Sequence, residues 1–292
     1  MPQTNLIQQY KTANILIKLI VINVAIFLVV RLLGFFTLTD PYELTKWFVL
    51  PDTWSEFVLQ PWSFITYSFV HYGFFHILIN MLWLYWFGQM ILNLFSAKRL
   101  LTVYLMGAIS GGLLFVLAYG LFPVFENARG YLLGASGAVT ALMVFIAAYA
   151  PNTAIRIFTF NLKIWQVAVF LVLLDLVRLP SSGNAGGLLA HLGGAILGYV
   201  YAVQLIRGKD IGLGFERMMD GVANLFKSRK QRPFKKVHRN TKTKSAQGKS
   251  MRDQKSDQQK KVDAILDKIS KSGYESLSKS EKDFLFRAGK DD

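Results

Sequence analysis

Apolar stretches long enough to cross a bilayer dominate the first 206 residues of this 292-residue chain. Inside hydrocarbon every backbone N–H and C=O must find its partner within the protein, so such stretches fold as helices or closed barrels. A spanning helix takes about 20 mainly apolar residues. Six stretches qualify or come close: 15–36, 74–95, 100–122, 132–150, 164–179 and 188–206. The fourth to sixth are short or rich in small residues. Hydrophobic side chains make up 52% of the chain and charged ones 17%, the profile of a multi-spanning helical protein. The predicted fold class is therefore all-α, a polytopic bundle of six transmembrane helices followed by a basic tail.

Charge is crowded toward one end. Up to Ile206 the chain carries 10 Lys/Arg and 6 Asp/Glu, and beyond it 23 and 12, so most of the net +15 belongs to the tail. A basic segment after the last span is read as facing anionic lipid, and no nucleic acid is expected as a partner. Lys11, Lys18, Lys98, Arg99, Arg156, Lys163, Arg207 and Lys209 fall on the N-terminal side of the bilayer. Only Arg31, Lys46, Arg129 and Arg178 fall opposite, which puts both termini in the cytoplasm. The polar start followed by a long apolar run without a small-residue cleavage site reads as a retained span.

The expected organisation is a short cytoplasmic N-terminus (1–14) and a membrane domain (15–207), then an amphipathic helix with a polybasic segment (208–236), a disordered linker (237–260) and a short helical module (261–292). Within the membrane domain, 37–73 is an aromatic, semi-polar interfacial loop containing Trp47, Trp54 and Trp62. In the module, Gly273 marks a break between two helices, and Ser278 and Glu281 have capping-box spacing.

Several spans carry polar side chains that are costly in lipid: His71, His76 and Asn80 around the second, Ser136 in the fourth and His191 in the sixth. His76 and Asn80, four residues apart, share one helical face, and both can donate hydrogen bonds. Two donors at a dry site suit a developing oxyanion, although the pair could equally bond between helices. Ser136 lies between Gly134 and Gly137, which either let helices pack closely or leave its hydroxyl uncovered for attack. Gly194 and Gly198 give His191 a smooth helical edge, so another helix can approach and Ser136 and His191 can meet. Histidine is the side chain with the right pKa to take a serine proton. Asp175 precedes Arg178 by three residues, and a local ion pair or solvated carboxylate is expected there, not a catalytic role. The chain has no cysteine, which excludes disulfides and thiolate chemistry.

Trp62, His71, His76, Asn80, the run Gly134-Ala135-Ser136-Gly137, and His191 with Gly194 and Gly198 together resemble the rhomboid family of intramembrane serine proteases over about 15–206. The resemblance implies Ser136 as nucleophile and His191 as general base of a Ser-His dyad. It implies an oxyanion hole from His76, Asn80 and the Ser136 backbone, and supporting roles for His71, Gly134, Gly137, Gly194, Gly198 and Trp62. It further implies transmembrane proteins as substrates, no cofactor or metal, and a bacterial cell (inner) membrane as the location. Two positions depart from the family pattern: Ser63 follows Trp62 where many members have arginine, and Thr140 stands where many have a tyrosine packed on the base. The piece from Val262 to Ala288 looks like a module appended to some bacterial relatives.

Three other readings compete. A rhomboid-like protein of weak or no activity would bind transmembrane clients uncut, yet serine and histidine are both present. A metal hydrolase using His71, His76 and His191 lacks an accompanying carboxylate cluster. A transporter would carry an internal repeat, and none is visible.

Overall fold

The structure, a computed structural model, describes residues 10, 12–126, 129–157, 159–225 and 251–288. The chain divides into two compact units, one up to Ser228 and one from Arg229.

In the first unit, α1 (Ile15–Thr37), α5 (Phe74–Leu94), α6 (Ala97–Leu121), α8 (Ile164–Arg178, continued by a 3-10 turn to Ser181) and α9 (Ala185–Ile206) are long and apolar enough to cross a membrane. α7 (Ser136–Tyr149) is shorter. The starts of three helices follow from side-chain caps: Asn14 accepts from the Ile17 N–H, Ser96 from Arg99, and Asn184 from Gly187. Leu28, Val29 and Leu32 on α1 and Phe170, Leu173 and Val177 on α8 are exposed. An apolar outer surface of that kind needs lipid around it. The chain is thus an integral multi-pass membrane protein.

The fourth apolar stretch begins its helix later than expected. Leu132 pairs with Leu50, and Tyr131 with Pro51, in a two-residue antiparallel ladder of β1 (Leu50–Pro51) and β2 (Tyr131–Leu132). Gly134 then turns with φ +107°, and only at Ser136 does α7 start. Between Thr37 and α5 lie short helices α2 (Pro41–Thr45), α3 (Trp54–Leu59) and α4 (Ser63–Thr66). A second hairpin, β3 (Ala154–Ile157) with β4 (Phe160–Lys163), joins α7 to α8.

The centre of the unit is α7, packed chiefly against α9 and α6. Glycines make this possible. A Cβ on Gly194 would lie 2.0 Å from the Gly137 carbonyl oxygen, and one on Gly198 would lie 2.4 Å from that of Ala141. Gly107 and Gly111 of α6 meet α7 and α9 as closely, with 2.4 Å to Ala141 Cβ and 2.7 Å to the Ala190 oxygen. In lipid, helix association rests on packing of this type and not on a hydrophobic driving force between helices.

At the other end of these helices, Arg99 pairs with Asp210 and Glu216, and Lys98 with Asp220 at 2.6 Å. These ion pairs hold α10 (Leu213–Leu225), the expected amphipathic helix, beside the start of α6. The polybasic run 227–236 lies outside the described residues.

The second unit contains α11 (Met251–Ser272) and α12 (Lys279–Ala288). The break falls at Gly273, with φ +78°. The Ser278 N–H donates to Glu281 Oε2 at 2.7 Å and the Glu281 N–H to Ser278 Oγ at 3.4 Å, forming the expected capping box. The linker expected over 237–260 needs correction where it is described: from Met251 onward the chain is helical. Residues 251–260 contain no Gly or Pro, and the Met, Arg, Gln and Lys that make up most of them favour helix.

Candidate active site

The residues singled out in three separate spans line one cleft of about 620 Å³. His76 and Asn80 come to it from α5, Ser136 and Thr140 from α7, and His191 from α9. Asp175 reaches it from α8. Trp83, Phe87, Met143 and Leu171 supply apolar walls.

Ser136 is the first residue of α7, where backbone N–H groups have no acceptor within the helix. At about 1.5 Å per residue, the 14 residues of α7 rise about 21 Å, short of a hydrocarbon core of about 30 Å. The helix is therefore too short to cross that core by itself. The turn that delivers it is held on both sides. The Gly134 N–H donates to the Tyr67 carbonyl at 3.0 Å, and the Ala135 N–H to His71 Nε2 at 3.2 Å. His71 is fully buried, with its ring 5.0 Å from that of His76. It lies outside the cleft lining and supports the chain just before the serine. Gly134 is required twice over, since its φ is positive and a Cβ there would come within 2.7 Å of the His76 ring.

Asn80 donates one amide N–H to the His76 carbonyl at 2.8 Å, which fixes its side chain along α5 while leaving a second N–H. Gly194 and Gly198 bring α9 against α7, and this close approach is what puts His191 and Ser136 on the same cleft. Trp62 is half exposed, donates from its indole to the Trp47 carbonyl at 2.7 Å, and does not line the cleft.

Asp175 requires correction. It does not pair with Arg178; its Oδ2 lies 2.8 Å from His191 Nδ1. α8 and α9 run antiparallel across a short connection, so a residue near the end of one faces a residue near the start of the other. Sequence proximity favoured the neighbour on the same helix, whereas packing supplied a partner 16 residues away. Among the described residues no group of three His, Asp or Glu side chains is arranged to hold a metal ion.

Comparison with known proteins matches residues 58–208 to the rhomboid domain and 249–289 to a family of unknown function, DUF6576. The mitochondrial RHOMBOID-like protein 12 of Arabidopsis thaliana is 26% identical over 214 residues, covering 70% of this chain and 62% of the relative. The mitochondrial Rhomboid protein 1 of Saccharomyces cerevisiae is 28% identical over 192 residues, 64% of this chain and 52% of the relative. Rhomboid protease GlpG of Yersinia pestis is 27% identical over 172 residues, 56% and 55%. The chain thus spans 52–62% of the length of these relatives.

Proposed function

Since the chain belongs to the rhomboid family, we propose that it is an intramembrane serine endopeptidase that cuts transmembrane segments of other membrane proteins with Ser136 and His191. The observation that carries this reading is the convergence of Ser136, His191, His76 and Asn80 on one cleft, with the serine starting a helix too short to span the bilayer.

In the proposed reaction, Ser136 Oγ attacks the scissile carbonyl carbon while its proton passes to His191 Nε2. The carbonyl oxygen becomes an oxyanion, received by the His76 side chain, the free Asn80 N–H and the Ser136 backbone N–H. One such donor contributes on the order of 3 kcal/mol to lowering the barrier. His191 then gives its proton to the leaving amine, the C–N bond breaks and an acyl-enzyme remains. Water, deprotonated by the same histidine, attacks the ester, and the proton returns to Ser136. No step calls for a cofactor. Thr140 lines the cleft without an aromatic ring to pack on the base, so it bears on rate and not on bond chemistry.

We place the chain in a bacterial cell membrane with both ends cytoplasmic, and anionic lipid beside the basic tail. The supports are the basic residues crowded on that side and the Yersinia pestis relative; the Arabidopsis and yeast relatives are named for mitochondria.

The test is cleavage of a labelled single-span protein in liposomes, together with labelling by a fluorophosphonate, which reacts with activated serines. Wild type should cut and become labelled, while Ser136→Ala and His191→Ala should lose both by at least about 10³-fold. Wild-type-like cleavage by Ser136→Ala would sink the mechanism. Labelling and cleavage both absent in wild type would favour capture of transmembrane clients without proteolysis.

A further inference from the structure

We propose that Asp175 is a positioning residue for His191: its carboxylate accepts the Nδ1–H of the imidazole, fixing the tautomer whose Nε2 is free to take the Ser136 proton. The inference rests on the serine-protease reading above and extends it from a pair of residues to three.

Asp175 Oδ2 and His191 Nδ1 are 2.8 Å apart, and their side chains are 22% and 23% exposed, so both sit mostly out of solvent at the edge of the cleft. An ionised carboxylate only accepts hydrogen bonds, so Nδ1 must carry the proton in this contact. The second nitrogen is then unprotonated, as a general base requires. The bond also ties the ring of α9 to α8, removing the rotation that would otherwise let the imidazole turn away from Ser136.

The alternatives are weaker. A structural ion pair would have been satisfied by Arg178 on the same helix, yet Asp175 pairs with His191 instead. The other polar and charged groups lining the cleft around His191 are Ser136 and Thr140 from α7, His76 and Asn80 from α5, Arg178 from α8, and Asn184 just before α9. Asp175 is the only carboxylate that lines the cleft. When Ser136 gives up its proton, the imidazolium that forms lies against a negative charge already in place. Asp175 keeps its charge throughout and takes no proton itself.

The experiment uses the full chain in liposomes, with ¹⁵N-labelled histidine and a labelled single-span substrate. The His191 signal, identified by its loss in His191→Gln, should show Nδ1 protonated and Nε2 unprotonated in wild type at neutral pH. In Asp175→Asn the amide can donate to Nδ1 and favour the opposite tautomer. We expect that variant to show a mixed or reversed His191 signal and a kcat reduced about 10²- to 10⁴-fold at similar KM. Asp175→Glu, which keeps the charge, should recover part of the rate. A wild-type signal with the proton on Nε2 overturns the inference without any variant. So does a kcat within about threefold of wild type in Asp175→Asn, judged by the kcat criterion used for loss of an interaction made only in the transition state. Failure of the serine-protease reading is distinguishable, because Ser136→Ala would then cut like wild type whatever Asp175 does.

Discussion

Gly134 is the residue on which the geometry of the serine depends most directly. Its φ of +107° is open to glycine and strained for any L side chain, and an added Cβ would press on the His76 ring at 2.7 Å. Gly134→Ala should therefore destabilise the fold by about 1–2 kcal/mol through backbone strain alone, read as a lower Tm in detergent, and should cut activity more than stability. The serine, both cleft histidines and Asn80 could be picked out in the sequence because each is a polar side chain where apolar ones are the rule. Asp175 was visible by the same criterion but its partner was not. Local spacing offers Arg178, while the contact to His191 depends on how two helices pack, which no i, i+3 rule contains. The bond from the Ala135 N–H to His71 was equally hidden, since it joins two loops 64 residues apart.

Among the elements, α7 and α9 depend on bare backbone meeting bare backbone. Gly194→Ala would set a methyl group 2.0 Å from the Gly137 oxygen, and the helices would have to part. We expect a loss of about 1–3 kcal/mol from overpacking, measured by thermal unfolding, with cleavage falling further as His191 withdraws from Ser136. The glycine edge of α9 was legible because Gly194 and Gly198 recur at helical spacing from His191. Its counterpart on α6, Gly107 and Gly111, has the same spacing, yet nothing in the sequence says which helix it meets. The start of α1 falls where the apolar run begins, at Ile15, whereas α6 starts at Ala97 behind its Ser96 cap, three residues before the apolar stretch 100–122. The start of α7 was not legible, because Leu132 and Leu133 are as apolar outside the helix as within it.

The capping box of α12 is the element whose behaviour should follow pH. The Ser278 N–H, then the Lys268 ammonium and the Ser278 hydroxyl, hold the Glu281 carboxyl down to about 2 from 4.5. Above pH 4.5 it is ionised whether the module is folded or not, and the contacts stabilise in full. As pH falls from 4.5 through 2, protonation removes that contribution. A ¹³C titration of the Glu281 carboxyl in the full chain should show its midpoint near 2, and Lys268→Ala should raise it.

For the whole molecule, the six apolar stretches and the asymmetry of basic residues were enough to outline a polytopic bundle, since the bilayer leaves so few ways to satisfy a backbone. The ion pairs from Lys98 and Arg99 to Asp210, Glu216 and Asp220 were not foreseeable. They depend on a turn after α9 that brings residues more than 100 positions apart together. Topology is open to direct measurement because the chain has no cysteine. Ser55→Cys should react with a membrane-impermeant maleimide added outside intact cells, and Ser272→Cys should react only after lysis. The reverse pattern would invert the orientation. The two-residue ladder of Leu50–Pro51 with Tyr131–Leu132 has a bearing on how such a bundle could work as a machine. Pro51 has no N–H to give, so the clasp is weak by construction, yet its far side is only four residues from Ser136. The segment 50–51 and Ser136 are therefore joined through a link of four residues that contains the Gly134 turn.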